Sequence, residues 1–140
     1  MVAVEPPTVP VFSSYRCPGN FEIPQDVLSK EATESCSKIR EAYECNGLNR
    51  CFGFRTKPMI STPLATKYRG YNFELSPEEK IQNPSLYEWN MKKFSSETSE
   101  RYKFLVIIKY IPRNEMCILR GVAMRSGKEE DECELKLPNR

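Results

Sequence analysis

The chemistry open to this chain is bounded first by a side chain it lacks. Its 140 residues include no histidine, the residue whose ordinary pKa lies nearest neutrality and which most often serves as general acid, general base or metal ligand. A Ser-His-Asp or Cys-His nucleophile, a two-histidine acid/base pair and a Cys2His2 zinc site are therefore excluded. Any enzymatic chemistry must run on carboxylates, lysine, arginine or tyrosine alone. Six cysteines stand at 17, 36, 45, 51, 117 and 133. None falls in the paired Cys-x-x-Cys spacing of a zinc site, so no metal and no cofactor is expected. An even number of cysteines without that spacing points instead to disulfides formed in a secretory pathway.

Charge is spread unevenly. Arg50, Arg55, Lys57, Lys67 and Arg69 form a basic stretch, and Glu129, Glu130, Asp131, Glu132 and Glu134 an acidic one. Each reads as solvated surface. The formal net charge of +2 is too small to imply bulk attachment to nucleic acid or membrane. The longest apolar run, 104–108, is far too short to span a bilayer, and no membrane partner is expected. The first residues, Met1-Val2-Ala3-Val4-Glu5-Pro6-Pro7, have neither a basic n-region nor a long apolar h-region. The chain thus reads as a mature secreted protein whose signal peptide is gone and whose initiator methionine has been added.

The elements that would position these groups follow from periodicity. Residues 1–14 carry three prolines and no period, and read as a flexible lead-in to a single domain at 15–140. A short strand is expected at 15–17. Leu28, Ala32, Cys36, Ile39 and Tyr43 recur at three- and four-residue steps and predict a helix over 25–44. Asn46-Gly47 should stop it. Strands are expected at 52–54, 68–75, 86–91, 102–110, 116–124 and 133–137, with a helical turn or long loop from 76 and loops at 76–85 and 125–132. The apolar run 104–108 marks a central strand buried on both faces, and 102–124 reads as an antiparallel hairpin turning at Asn114-Glu115. One helix followed by antiparallel strands is an α+β pattern.

Three stretches, in order, resemble the small guanyl-specific ribonucleases of fungi. Tyr15-Arg16-Cys17 ahead of a helix starting near Asp26-Val27 is similar to that family's Tyr-x-Cys and helix start. Lys67-Tyr68, Asn72-Phe73 and Leu86-Tyr87-Glu88-Trp89 resemble its base-binding loop and the strand bearing its catalytic glutamate. Leu119-x-Gly121-Val122-Ala123-Met124-Arg125-Ser126-Gly127, ahead of Cys133, resembles its last two strands. The resemblance covers roughly residues 15–135. It implies a microbial ribonuclease-like fold with one α-helix on a twisted antiparallel β-sheet, stapled by disulfides. It puts Glu88 at the position of the general base, Thr66 at the assisting histidine and Arg125 at the acid histidine. The family's phosphate-binding arginine has no secure counterpart, with Lys103 or Arg101 nearest. An arginine stays protonated at any working pH, so Arg125 could bind a phosphate but not deliver a proton.

A ribonuclease-like scaffold without histidine and opened by Tyr-x-Cys resembles, in particular, the powdery-mildew effectors known as RNase-like proteins associated with haustoria. That resemblance implies secretion, delivery into the plant host cell and no catalysis, so Glu88, Thr66 and Arg125 become relict positions. It implies a host protein or RNA as target, and recognition by an intracellular nucleotide-binding leucine-rich-repeat receptor as an avirulence protein. The alternative is a residually active secreted ribonuclease with Glu88 as base. A monomer is expected, with RNA or partner contacts through Lys67, Tyr68, Arg69, Tyr71, Arg55, Lys57 and Arg125. The resemblance also implies a Cys17–Cys133 bridge, stabilising by about 4 kcal/mol in the chain-entropy view. Among the three pairings of the other four cysteines, Cys45–Cys51 is favoured by proximity, leaving Cys36–Cys117.

Overall fold

In a computed structural model, residues 10–11, 13–48 and 65–136 are described. Tyr15–Cys17 (β1) and Phe21–Ile23 (β2) lead into a helix, Gln25–Leu48 (α1). Ala65–Lys67 (β3) follows, then a loop and the short helix Pro77–Lys80 (α2). Ser85–Asn90 (β4), the helix Lys92–Thr98 (α3), Lys103–Ile111 (β5) and Met116–Ser126 (β6) come next. Glu129–Glu132 (β7) and Glu134–Leu135 (β8) complete the order. The strands form two antiparallel sheets, a three-stranded β2-β1-β8 and a five-stranded β3-β4-β5-β6-β7.

The protein is α+β, with α1 packed on the larger sheet. Leu28, Ala32, Cys36 and Ile39 are all fully buried on one face of α1, as the helical spacing requires. They meet Phe104, Val106, Ile108 and Tyr110 of β5, together with Val122 and Met124 of β6. Each fully buried Leu, Ile, Val, Met or Phe among them contributes about 1.5–3 kcal/mol. The intervening residues of β5, Leu105 and Ile107, point to the other face and join Ala123 and Phe73 in a second cluster. The central strand is therefore buried on both faces, as its apolar run predicts. Two disulfides, Cys17–Cys133 and Cys36–Cys117, fasten the small sheet and α1 to the rest.

Several expectations change. Residues 68–75 form no strand. They cross the open face of the large sheet as a loop, because Phe73 seats on β6 rather than pairing along an edge. A β-carbon at Gly121 would run into the Phe73 ring, so only glycine lets it settle there. Arg120 is the extra residue of a bulge, since Ile107 pairs Gly121 while Ile108 pairs Leu119. Helix α1 runs through Asn46-Gly47 to Leu48, since an interior glycine costs only about 1 kcal/mol. The segment 125–132 is the end of β6, a turn at Gly127 and β7, not a loop. β2 and α3 had no periodic signal. α3 is held by Phe94 stacking edge-on to Phe104, and by the Phe104 amide donating to Ser95 Oγ at 2.9 Å. The hairpin turn falls at 112–115, where Glu115 adopts a left-handed φ of 52°. The expected strand 52–54, Arg50, Arg55, Lys57 and the Cys45–Cys51 pairing lie outside the described residues.

Candidate functional site

Alternation along β3, β4, β5 and β6 sends one set of side chains away from α1, onto the open face. Thr66 pairs in register with Glu88, and Lys103 with Arg125. Thr66, Glu88 and Arg125, drawn from three strands, line one cleft of about 640 Å³ together with Arg69, Lys103 and Glu130. Lys67 and Tyr68 line a neighbouring depression on the far side of Gly70. Arg101 lies elsewhere, over the Tyr102 ring.

Arg125 dominates the cleft, and not as a solvated loop cation. Its side chain is only 16% exposed. Nη1 and Nη2 donate to the two carboxylate oxygens of Glu88 at 2.8 and 2.9 Å, a bidentate pair. Nε and Nη2 also donate to Glu130 Oε1 at 3.0 and 2.6 Å. Its guanidinium is thus taken up by two carboxylates within the protein. The acidic run is solvated surface, as expected, except at Glu130. The Glu130 side chain is 1% exposed, turned inward by strand alternation while its neighbours face water.

Glu130 is the residue that sequence reasoning missed, and within five acids only its place in an alternating strand could have singled it out. It also accepts from the Tyr68 hydroxyl, and from Asn72 Nδ2 at 3.0 Å. Its backbone amide and carbonyl, on the edge strand β7, bond to the Tyr71 hydroxyl at 3.2 Å each. Tyr71, expected as a contact for a partner, thus fastens the loop 68–75 across the sheet to β7, although its ring stays exposed. Gly70 lets this loop lie against the Glu130 carboxylate, where a β-carbon would collide.

Burial pushes both carboxyls up, but their partners more than reverse it. The Arg125 hydrogen bonds, the Arg69 amide at 3.0 Å and the charges of both arginines hold Glu88 below the ordinary carboxylate range. Tyr68, Asn72 and Arg125 do the same for Glu130. Burial, then the bond to Glu130, raises the Tyr68 hydroxyl well above its usual value. Neither carboxyl is thus poised near neutrality to take up or release a proton, as acid–base catalysis would need. Around this core stand Lys92, Lys103 and Lys128, which pair with no carboxylate among the described residues, and the 75%-exposed Arg69. Five cations against two carboxylates give the lining of the cleft a net positive charge.

No protein-family model matches the chain, and no curated protein and no solved structure matches it either. The class is therefore defined by geometry: a disulfide-linked α+β domain presenting a cationic cleft whose central carboxylates are locked in ion pairs.

Proposed function

We propose that this is a secreted effector with a catalytically inactive ribonuclease-like scaffold, acting inside the plant host cell by binding a host protein or RNA. In this reading an intracellular nucleotide-binding leucine-rich-repeat receptor detects it by surface contacts. One observation carries the proposal. Glu88, Thr66 and Arg125, singled out by resemblance from three distant stretches, converge on one cleft, yet the would-be base is tied up in a bidentate pair with the residue at the acid's position. A carboxylate held below its ordinary pKa is a weak base, and an arginine is no acid. The free lysines of the cleft suit phosphates or an acidic protein surface, with binding that weakens as salt rises. Two buried disulfides are compatible with folding in an oxidising compartment.

Purified protein incubated with RNA and assayed for cyclic-phosphate ends should yield none above a no-protein control. Cleavage that Glu88→Gln abolishes would replace this reading with the residually active ribonuclease. Co-expression in leaves with candidate receptors reads the second half. Charge reversal at Arg69 or Lys128 should silence cell death while the protein accumulates, and Glu88→Gln should not.

A further inference from the structure

The two disulfides sit in different surroundings. Cys17–Cys133 lies between the small sheet and the end of β7, at 2% and 3% exposure. Cys36–Cys117 ties the middle of α1 to β6, and both its cysteines line a groove of about 570 Å³ on the helix side of the molecule. Neither Cys17 nor Cys133 lines that groove or the cationic cleft. Its walls include Tyr15 and Leu119 and two of the most exposed large apolar side chains, Met116 at 46% and Leu135 at 45%. Cys117 is the most exposed of the four bridged cysteines at 7%, whereas Cys36 is fully buried. Arg40, one helical turn beyond Cys36, stands in the same groove, with its guanidinium 2.6 Å from Glu115.

We propose that Cys117 is a site of thiol–disulfide exchange, reached through this groove by a low-molecular-mass thiol of the glutathione class, and that Cys17–Cys133 is the inert bridge. The thiolate attacks Sγ of Cys117 and forms a mixed disulfide there. The Cys36–Cys117 bond breaks, its electron pair goes to Cys36 Sγ, and that sulfur takes a proton from solvent. A second thiolate attacks the added sulfur, releasing Cys117 as a thiolate and the small thiol as its own disulfide. Two thiols are oxidised and one protein bridge is reduced. Access favours attack at Cys117, the more exposed of the two sulfur-bearing residues, and leaves Cys36 as the departing thiolate. A chain passing from oxidising to reducing surroundings would thus lose the tie between α1 and β6 first and keep its two ends joined.

The test exposes the native protein to glutathione for graded times, quenches with acid, alkylates free thiols and maps peptides by mass. Peptides carrying Cys45 and Cys51 are read separately from those of the two bridges. Expected is a glutathione adduct on Cys117 with Cys36 alkylated, appearing before any opening of Cys17–Cys133. Met116→Trp, which narrows the groove at an exposed position, should slow opening several-fold without changing the circular dichroism. The proposal is overturned if Cys17–Cys133 opens first or at the same rate, or if the adduct sits on Cys36. It also fails if the opening rate tracks global unfolding in urea, or if Met116→Trp leaves it unchanged.

Discussion

On the sheet face away from α1, two ionic clusters use the same side-chain types in inverse proportion. At one end Arg125 lies between two carboxylates, Glu88 and Glu130. Toward the other, Glu79 faces two cations, Lys109 at 2.7 Å and Arg120 at 3.8 Å. The first is the deeper, with side chains 16%, 7% and 1% exposed against 14%, 35% and 21% in the second. Its bidentate geometry and the extra donors from Tyr68, Asn72 and the Arg69 amide offset desolvation that a single pair would not. The second is simpler. Glu79 doubles as the capping-box residue of α2, accepting from the Ser76 amide at 2.8 Å. Arg120, displaced by the bulge, leaves its buried Nε without a hydrogen-bond partner. The first cluster therefore holds a loop to an edge strand, and the second caps a helical turn.

That contrast fixes the order of expected effects. Arg125→Leu strands two buried carboxylates beside each other and should cost about 3–5 kcal/mol in urea unfolding. A cost under about 1 kcal/mol would show that water reaches the cluster and that Glu88 is free to act as a base. Gly70→Ala comes next, at about 1–3 kcal/mol, because the added methyl group must displace either the loop or the Glu130 carboxylate. Faster hydrogen exchange at the β7 amides would show that the loop has lifted from the edge strand. An unchanged exchange rate would mean that the loop and β7 are not mechanically linked.

Acid titration compares both clusters in one experiment. Glu79, Glu88 and Glu130 are all depressed in the folded state. The stability each contributes is complete above its unfolded value and is lost as pH falls through the folded one. The Lys109 hydrogen bond above all, then the Ser76 amide, lowers Glu79 from 4.5 to about 2. The wild-type protein should therefore weaken steadily as pH drops from about 4.5 toward 2. Glu88→Gln should flatten part of that slope at a cost of about 1–2 kcal/mol at neutral pH, because Glu130 still neutralises Arg125. An unaltered slope would place the Glu88 carboxylate outside the linkage.

The helix face, the doubly buried β5 and the hairpin were legible because each rests on an apolar period that local sequence displays. Thr66, Glu88 and Arg125 share a cleft because strand register sets Thr66 opposite Glu88 and brings β6 alongside, a long-range arrangement that no local period displays. Their bonding was not legible. Nothing local in Glu129-Glu130-Asp131-Glu132 tells which acid turns inward until β7 pairs with β6 and places Glu130 opposite Arg125. The segment 68–75 misled for a related reason. Its aromatic residues look like a strand's, but Tyr68 and Phe73 serve as anchors for a crossing loop, and the glycines that admit them lie at 70 and 121. Long-range contacts of that kind leave no periodic trace.

The smallest expected effect is the sharpest check on the comparison. Lys109→Met keeps the length and apolar stem of the side chain and deletes only its charge. Glu79 would keep the Ser76 amide and the more distant Arg120, and its 21%-exposed carboxylate can be hydrated. Stability at neutral pH should therefore fall by only about 1 kcal/mol. The larger change should be in titration. Without its strongest partner, the Glu79 carboxyl should rise from about 2 toward 4.5, so that proton uptake on unfolding shrinks and the slope between those pH values flattens. Following the Glu79 carboxyl carbon by NMR through an acid titration reads this directly. If Lys109→Met costs as much as Arg125→Leu, the two clusters are equally desolvated, and the distinction between a buried latch and a solvated cap is wrong.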